Sequence, residues 1–379
     1  MYVKCLFSLV WVYFTIVIQC QSQVPSSKPL RADWMKGKYG MMVHWLSPRF
    51  GQPDLGRPVS PLPRKGEYVT DLNKAVDGFA IQKFMKDFDE SGAEWLIFTI
   101  GQNRGTYASP NKTLDVLCGP GHTSKRDLVL ELAQAVKARG KRFIAYLPCE
   151  THGNETLHQC LGWTATPNTD QAIFQENYLK VIREWAVRFG KNLDGWWFDG
   201  CYPERESFKN QYMQWDKWYE ASRAGNPDVV VTFNDGSFLV GFTKPVRPEH
   251  DYLSGEALVL IDGKIRMTSK PDGPLYMPAQ AYVENTRCLN HALLPIDGYW
   301  AHGTVPYPDW ANVPFKFELS KKQDKMAPPV YSDEELIKFV TDFTKVGGAV
   351  TLNVNIFQEG YLGQESLNQL KKVKKALHQ

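Results

Sequence analysis

Residues 192–201, NLDGWWFDGC, place one carboxylate, Asp199, directly behind Trp196, Trp197 and Phe198 and directly before Gly200. By the two-residue period of a strand, Leu193, Gly195, Trp197 and Asp199 share one side, and Asp194, Trp196 and Phe198 the other. Both sides are mostly apolar, as in a buried parallel strand whose carboxyl end opens into a site. An anion held on a rigid strand end, beside flat rings of the kind that stack on sugars, suits attack on a glycosidic carbon. Asp199 therefore reads as the nucleophile of a retaining glycosidase. It reads equally as the cap of a following helix, and the stretch alone does not choose.

Other polar groups recur where apolar runs stop. His44 lies near the end of the run 39–45, YGMMVHW, and Gln102 and Asn103 follow the run 94–100, EWLIFTI. Glu150 and His152 follow residues 142–147, and Asn234-Asp235-Gly236 follows 229–233, VVVTF. A neutral imidazole at His44 offers a donor and an acceptor to a sugar hydroxyl, or is satisfied inside a barrel. Gln102 and Asn103 offer the same without titrating. Trp197 and Trp300 are stacking platforms or core, whereas Trp196, facing away from Asp199, reads as core.

Helical patterns separate these runs. The spacing predicts helices over 79–89, from a capped start at 124–127, over 169–189 with Ile173, Phe174, Tyr178 and Trp185 inward, over 207–224, from Ser332 through about 345, and over 365–377. Strand and helix alternate, with polar groups at strand ends. The fold expected is α/β, a single-domain (β/α)8 TIM-like barrel over residues 34–379, with its site at the carboxyl face. The long loop 46–76, with its several prolines, reads as functional.

The chain of 379 residues is 43% hydrophobic, enough for one barrel-sized core. Its net charge of +3 comes from 44 basic and 41 acidic residues scattered along it. No basic block suggests a nucleic-acid partner. Lys4, the apolar run 6–18 and the small residues Cys20 and Ser22 read as a signal peptide over 1–22, followed by a polar tail over 23–33. The resulting location is secreted or periplasmic, or lysosomal in a eukaryote; anchoring through Cys20 as a lipoprotein is disfavoured by Gln19. No later run is long enough to span a membrane. Removing the leader leaves five cysteines, so at least one is unpaired within the chain. A Cys149–Cys160 disulfide is plausible. A metal site at Cys149, His152, His158 and Cys160 fits no standard zinc spacing, so neither metal nor cofactor is expected. Asn111 and Asn154 lie in glycosylation sequons.

Taken together, several segments resemble the α-L-fucosidases of glycoside hydrolase family 29. Residues 38–45, KYGMMVHW, are similar to the family's opening K-F-G-hydrophobic-H-W segment. Residues 91–99 are similar to its A-G-A-K-Y strand, residues 125–129 to its K-R-D helix start, and residues 197–200 to its W-x-D-G. Residues 341–360 are similar to its closing helix, Gly-Gly turn and L-L-N-V strand. The resemblance implies Asp199 as nucleophile, His44 and Trp45 at the sugar, and Glu67 and Tyr68 as the counterpart of its E-W-Y pocket segment. Residues 251–256, DYLSGE, are similar to its G-D-Y-x-T-x-E, which makes Glu256 the acid/base candidate. Glu150, Glu204 and Glu206 are rivals, and a salt bridge is the plain alternative for each. A retaining pair needs its two carboxyls about 5 to 5.5 Å apart, with the acid held protonated.

The departures concern substrate reading. Gln102-Asn103 stands where the family has paired histidines, its arginine after the fifth strand is replaced near Asn234, and its trailing β-sandwich has no counterpart here. The expectation is a glycan-cleaving, α-L-fucosidase-like enzyme. The alternatives are an endo-hydrolase of sulfated fucan on the same barrel, with Arg104, Arg205 or Lys244 meeting sulfate, and an inactive carbohydrate-binding homologue. The partner expected is a glycan or polysaccharide; the oligomeric state is left open.

Overall fold

The computed structural model describes residues 29–46, 61–102, 105–151, 154–166, 169–201, 212–236, 244–298, 300, 309–315 and 324–378. Seven strands pair in parallel: β1 (Tyr39–Val43), β2 (Trp95–Thr99), β3 (Arg142–Pro148), β4 (Gly195–Asp199), β5 (Val230–Phe233), β9 (His291–Pro295) and β10 (Ala349–Asn353). Their order, β5-β4-β3-β2-β1-β10-β9, curls the sheet round. Three short strands, β6 (Leu260–Ile261), β7 (Lys264–Arg266) and β8 (Leu275–Tyr276), form a separate antiparallel sheet in the middle region.

The gap between the edge strands β5 and β9 is filled by residues 251–257. The Asp251 amide donates to the Val231 carbonyl at 3.1 Å, while the amides of Leu253 and Ala257 donate to Leu289 and Leu293 at 2.9 and 2.8 Å. This segment is too irregular to count as a strand, yet it occupies the eighth place. The architecture is thus the expected (β/α)8 barrel.

Alternation along the strands sorts side chains into two cores. Met42, Ile97, Ile144, Tyr146, Trp197, Val230, Tyr252 and Leu293 fill the barrel interior. Met41, Leu96, Phe98, Trp196, Phe198 and Leu352 pack outward against the helices. Trp196 is core, as its side of the strand requires. Those helices are α1 (Leu72–Asp77), α2 (Ile81–Ser91), α3 (Lys112–Cys118), α4 (Leu128–Lys137), α5 (Glu155–Cys160), α6 (Ala172–Phe189), α7 (Trp215–Ser222), α8 (Asp333–Lys345) and α9 (Gln364–Leu377). Asp127 and Ser332 cap α4 and α8 by accepting from the Leu130 and Glu335 amides.

Four expectations are corrected. Helix α6 begins at Ala172, because Gln171 takes a left-handed conformation and its amide bonds both backbone groups of Thr164 at 2.8 and 2.9 Å. Ile173, expected inward, is 63% exposed. The helix expected over 207–224 is limited to Trp215–Ser222, with residues 207–211 outside the described residues. The disulfide joins Cys118 to Cys160, not Cys149 to Cys160. It ties the last residue of α3 to the last of α5, while Cys149 is buried past the end of β3 with its thiol against Cys201. The leader 1–22 lies outside the described residues, and no described helix is long and apolar enough to cross a membrane.

Candidate active site

The register places Pro148 beside Asp199, and Tyr146 beside Trp197. Tyr146 and Trp197 point inward and stack with ring centroids 5.3 Å apart. Directly above that stack, the Tyr146 hydroxyl donates to Asp199 Oδ2. Asp199 Oδ1 accepts from the Gly200 amide at 2.9 Å and from Asn234 Nδ2 at 2.8 Å. Gln102 Nε2 donates to the Tyr146 hydroxyl at 2.5 Å, so a chain of donors runs from β2 through β3 to the carboxylate on β4.

Glu256 sits on the eighth-place segment, 9% exposed, bridged in register with Leu293. Its Oε2 accepts from the same Asn234 Nδ2. One nitrogen touching both carboxylates limits their nearest oxygens to less than two hydrogen-bond lengths apart. Burial, then the charge of Asp199, pushes the Glu256 carboxyl up to about 8, with Asp235 adding to the rise; hydrogen bonds from Asn234 and Trp300 oppose it. Burial raises Asp235 itself to about 6.

His44 completes the floor. Its Nδ1 pairs with Asn353 Oδ1 at 2.9 Å, and its ring lies edge-on to Tyr146 at 4.9 Å and tilted to Trp300 at 6.0 Å. Burial lowers its pKa to about 4, so the ring is neutral near pH 7. The Asn353 amide also donates to the Trp300 carbonyl at 3.3 Å, linking the end of β10 to the same wall.

Asp199, Glu256, His44, Gln102, Trp197 and Trp300 are therefore brought together. Trp45 is fully buried in the outer layer, its indole nitrogen bonded to the Gln358 carbonyl at 2.9 Å and its ring edge-on to Phe79. Tyr68 is half-buried against that outer layer and Glu67 is exposed. Asn103, Arg104, Glu204, Arg205 and Glu206 lie outside the described residues. Lys244 is exposed, and Glu150 is buried past the end of β3. His158 stacks on Trp163 at 4.4 Å, and no metal-binding group of His, Cys, Asp or Glu occurs among the described residues. Sequence reasoning did not single out Tyr146, Asn234 or Asn353 as site residues. Position offered a signal for all three: Asn353 ends β10, Asn234 directly follows β5, and Tyr146 shares the inward phase of Ile144.

Two carboxylates thus converge at the carboxyl end of a parallel barrel, one raised and one bonded by several donors. The α-L-fucosidase family model matches residues 67–244. Over that stretch the chain is similar to the α-L-fucosidases.

Solved structures share the fold at low identity. An endo-fucoidan hydrolase of glycoside hydrolase family 107 superposes with a TM-score of 0.60 at 16% identity, over 91% of this chain and 53% of its own. A second, P5AFcnA, gives 0.59 at 14% over 93% and 94%. The α-L-fucosidase isoenzyme 1 from Paenibacillus thiaminolyticus gives 0.56 at 14% over 91% and 74%. The chain thus spans about half the length of the first of these relatives. No curated protein matches.

Proposed function

We propose that the protein is an exported retaining glycosidase that cleaves α-L-fucosyl linkages, with Asp199 as nucleophile and Glu256 as acid/base. The observation that carries this reading is the shared Asn234 nitrogen, which keeps the carboxyls at a separation suited to a retaining pair. In the first step Asp199 attacks the anomeric carbon as Glu256 protonates the departing oxygen. In the second, Glu256 takes a proton from water, which displaces the sugar from Asp199. Export is supported by the apolar run 6–18 and by the Cys118–Cys160 disulfide, a bond that persists in oxidising compartments.

The test is hydrolysis of an aryl α-L-fucoside by the chain from residue 23 onward. Asp199→Ala should abolish turnover. Glu256→Gln should slow poor leaving groups far more than activated ones. Unchanged turnover in Asp199→Ala would remove the assignment.

A second reading, endo-cleavage of fucan, is favoured by one feature. Gln102, at the position of a family histidine, spends its amide on Tyr146, which leaves a different set of groups to read a terminal fucose. Cleavage of fucan oligosaccharides without cleavage of the aryl fucoside would select it. Binding of those oligosaccharides with no cleavage of either would select the inactive homologue.

A further inference from the structure

The group between the two carboxylates is neutral. Asn234 is completely buried and follows β5, and its backbone is clamped on both sides: its amide donates to the Phe198 carbonyl at 2.7 Å, and its carbonyl accepts from Cys201 at 2.9 Å. Its side-chain oxygen accepts from the Gly236 amide at 3.1 Å. That contact fixes the orientation of the side-chain amide, so both hydrogens of Nδ2 face the carboxylates, one toward Asp199 Oδ1 and one toward Glu256 Oε2.

We propose that Asn234 is a positioning residue that assigns the transferable proton of Glu256 to Oε1 and fixes the spacing of the carboxyl pair. The inference rests on the glycosidase reading above. In a carboxylic acid the carbonyl oxygen is the stronger acceptor, so an N–H aimed at Oε2 favours the tautomer with its proton on Oε1. A cation in the same place would bond both oxygens equally well, but it would also hold both carboxyls charged, leaving no acid to protonate the leaving group. Neutrality and two hydrogens on one nitrogen are what the position requires.

The titratable groups that face Glu256 among the described residues are few. Asp199 comes from β4 and Asp235 follows β5, and both raise it; His44, at the end of β1, is neutral. On the eighth-place segment Asp251 is paired with Arg223, and on β9 His291 is lowered by burial to about 4 and is neutral.

The test reads the proton directly by infrared spectroscopy of the carboxylic-acid C=O stretch, which needs no turnover. The wild type should show a protonated-carboxyl component with its midpoint near pH 8 that Glu256→Gln removes, beside a lower component from Asp297 that Asp297→Asn removes. In Asn234→Ala, the loss of a donor to the charged form should move its midpoint upward. In Asn234→Lys, the midpoint should fall by about one pH unit or more, as an opposite charge at contact distance dictates. The near-isosteric Asn234→Asp, checked for folding by near-ultraviolet circular dichroism, should raise it. Midpoints unmoved in all folded variants would overturn the role of Asn234 and leave Glu256 in place. A component near pH 8 that survives in Glu256→Gln would overturn the acid assignment beneath it.

Discussion

Asp199 and Glu256 bear the same functional group in the same pocket, and their neighbours divide the work between them. Asp199 accepts from a tyrosine, a backbone amide and an asparagine, whereas Glu256 is buried beside its charge. Tyr146 is the less obvious member, because it orients the nucleophile and receives Gln102. Tyr146→Phe removes one donor without disturbing the stack on Trp197. We expect kcat to fall about 10- to 100-fold and stability to change by about 1 kcal/mol, read by steady-state kinetics and denaturant melts. At Asn111 the side chain is fully buried, caps α3 and donates to the Val181 carbonyl at 2.9 Å. Its sequon should stay unmodified in folded protein from a glycosylating host, a result that peptide mass spectrometry would check.

At the scale of elements, the site depends on the closure of the barrel. Residues 251–257 carry Glu256 and hold the eighth place by bonds to β9 and a single backbone bond to β5. Asp251 strengthens the weak side: its carboxylate accepts from the Val231 amide and from Arg223, each at 2.9 Å. Asp251→Ala removes the buried partner of the half-buried Arg223 and the acceptor of the Val231 amide, and we expect a loss of roughly 3 kcal/mol in chemical denaturation. On the other side of the barrel, Cys118–Cys160 closes a loop of sequence separation 42. Cys160→Ser, or reduction of the wild type, should lower stability by about 2 to 4 kcal/mol in urea melts.

For the whole molecule, catalysis and stability oppose each other through protons. Glu256 has an ordinary value of 4.5 and about 8 in the fold. Between those values the folded chain keeps a proton that the unfolded chain has lost, so this group's contribution to stability falls as pH rises, by about 1.4 kcal/mol per unit. Asp297, buried and raised to about 7, acts in the same direction. His44 and His291, each lowered by burial to about 4, act oppositely: their contribution is present above pH 6.5 and lost as pH falls toward 4. Glu256→Gln should therefore raise the melting temperature at pH 8 and leave it nearly unchanged at pH 4, while impairing turnover. Differential scanning calorimetry at the two pH values would decide. An equal rise at both would point to packing and not to the proton.

The barrel was legible in the sequence because its determinants are local. Apolar runs of strand length, helical stripes, the polar helix start at 124–127 and the cap at Ser332 recur in alternation, and the two-residue period assigned Trp196 to the outer core and Asp199 to the inner side. The same reasoning marked Glu256, His44 and Gln102 through resemblance and strand-end position. It did not reveal which of these meet, because contact depends on side chains from seven different segments arriving at one height. Tyr146, Asn234 and Asn353 acquire their roles only from partners on other strands. Trp45 follows His44 directly in sequence, yet the alternation of the chain turns it to the opposite layer. The Cys118–Cys160 pairing likewise depends on where α3 and α5 end in space, which spacing along the chain does not encode. Sequence by itself determined the frame and the kinds of groups at its rim; the tertiary structure decided which groups touch, and touching sets their charge.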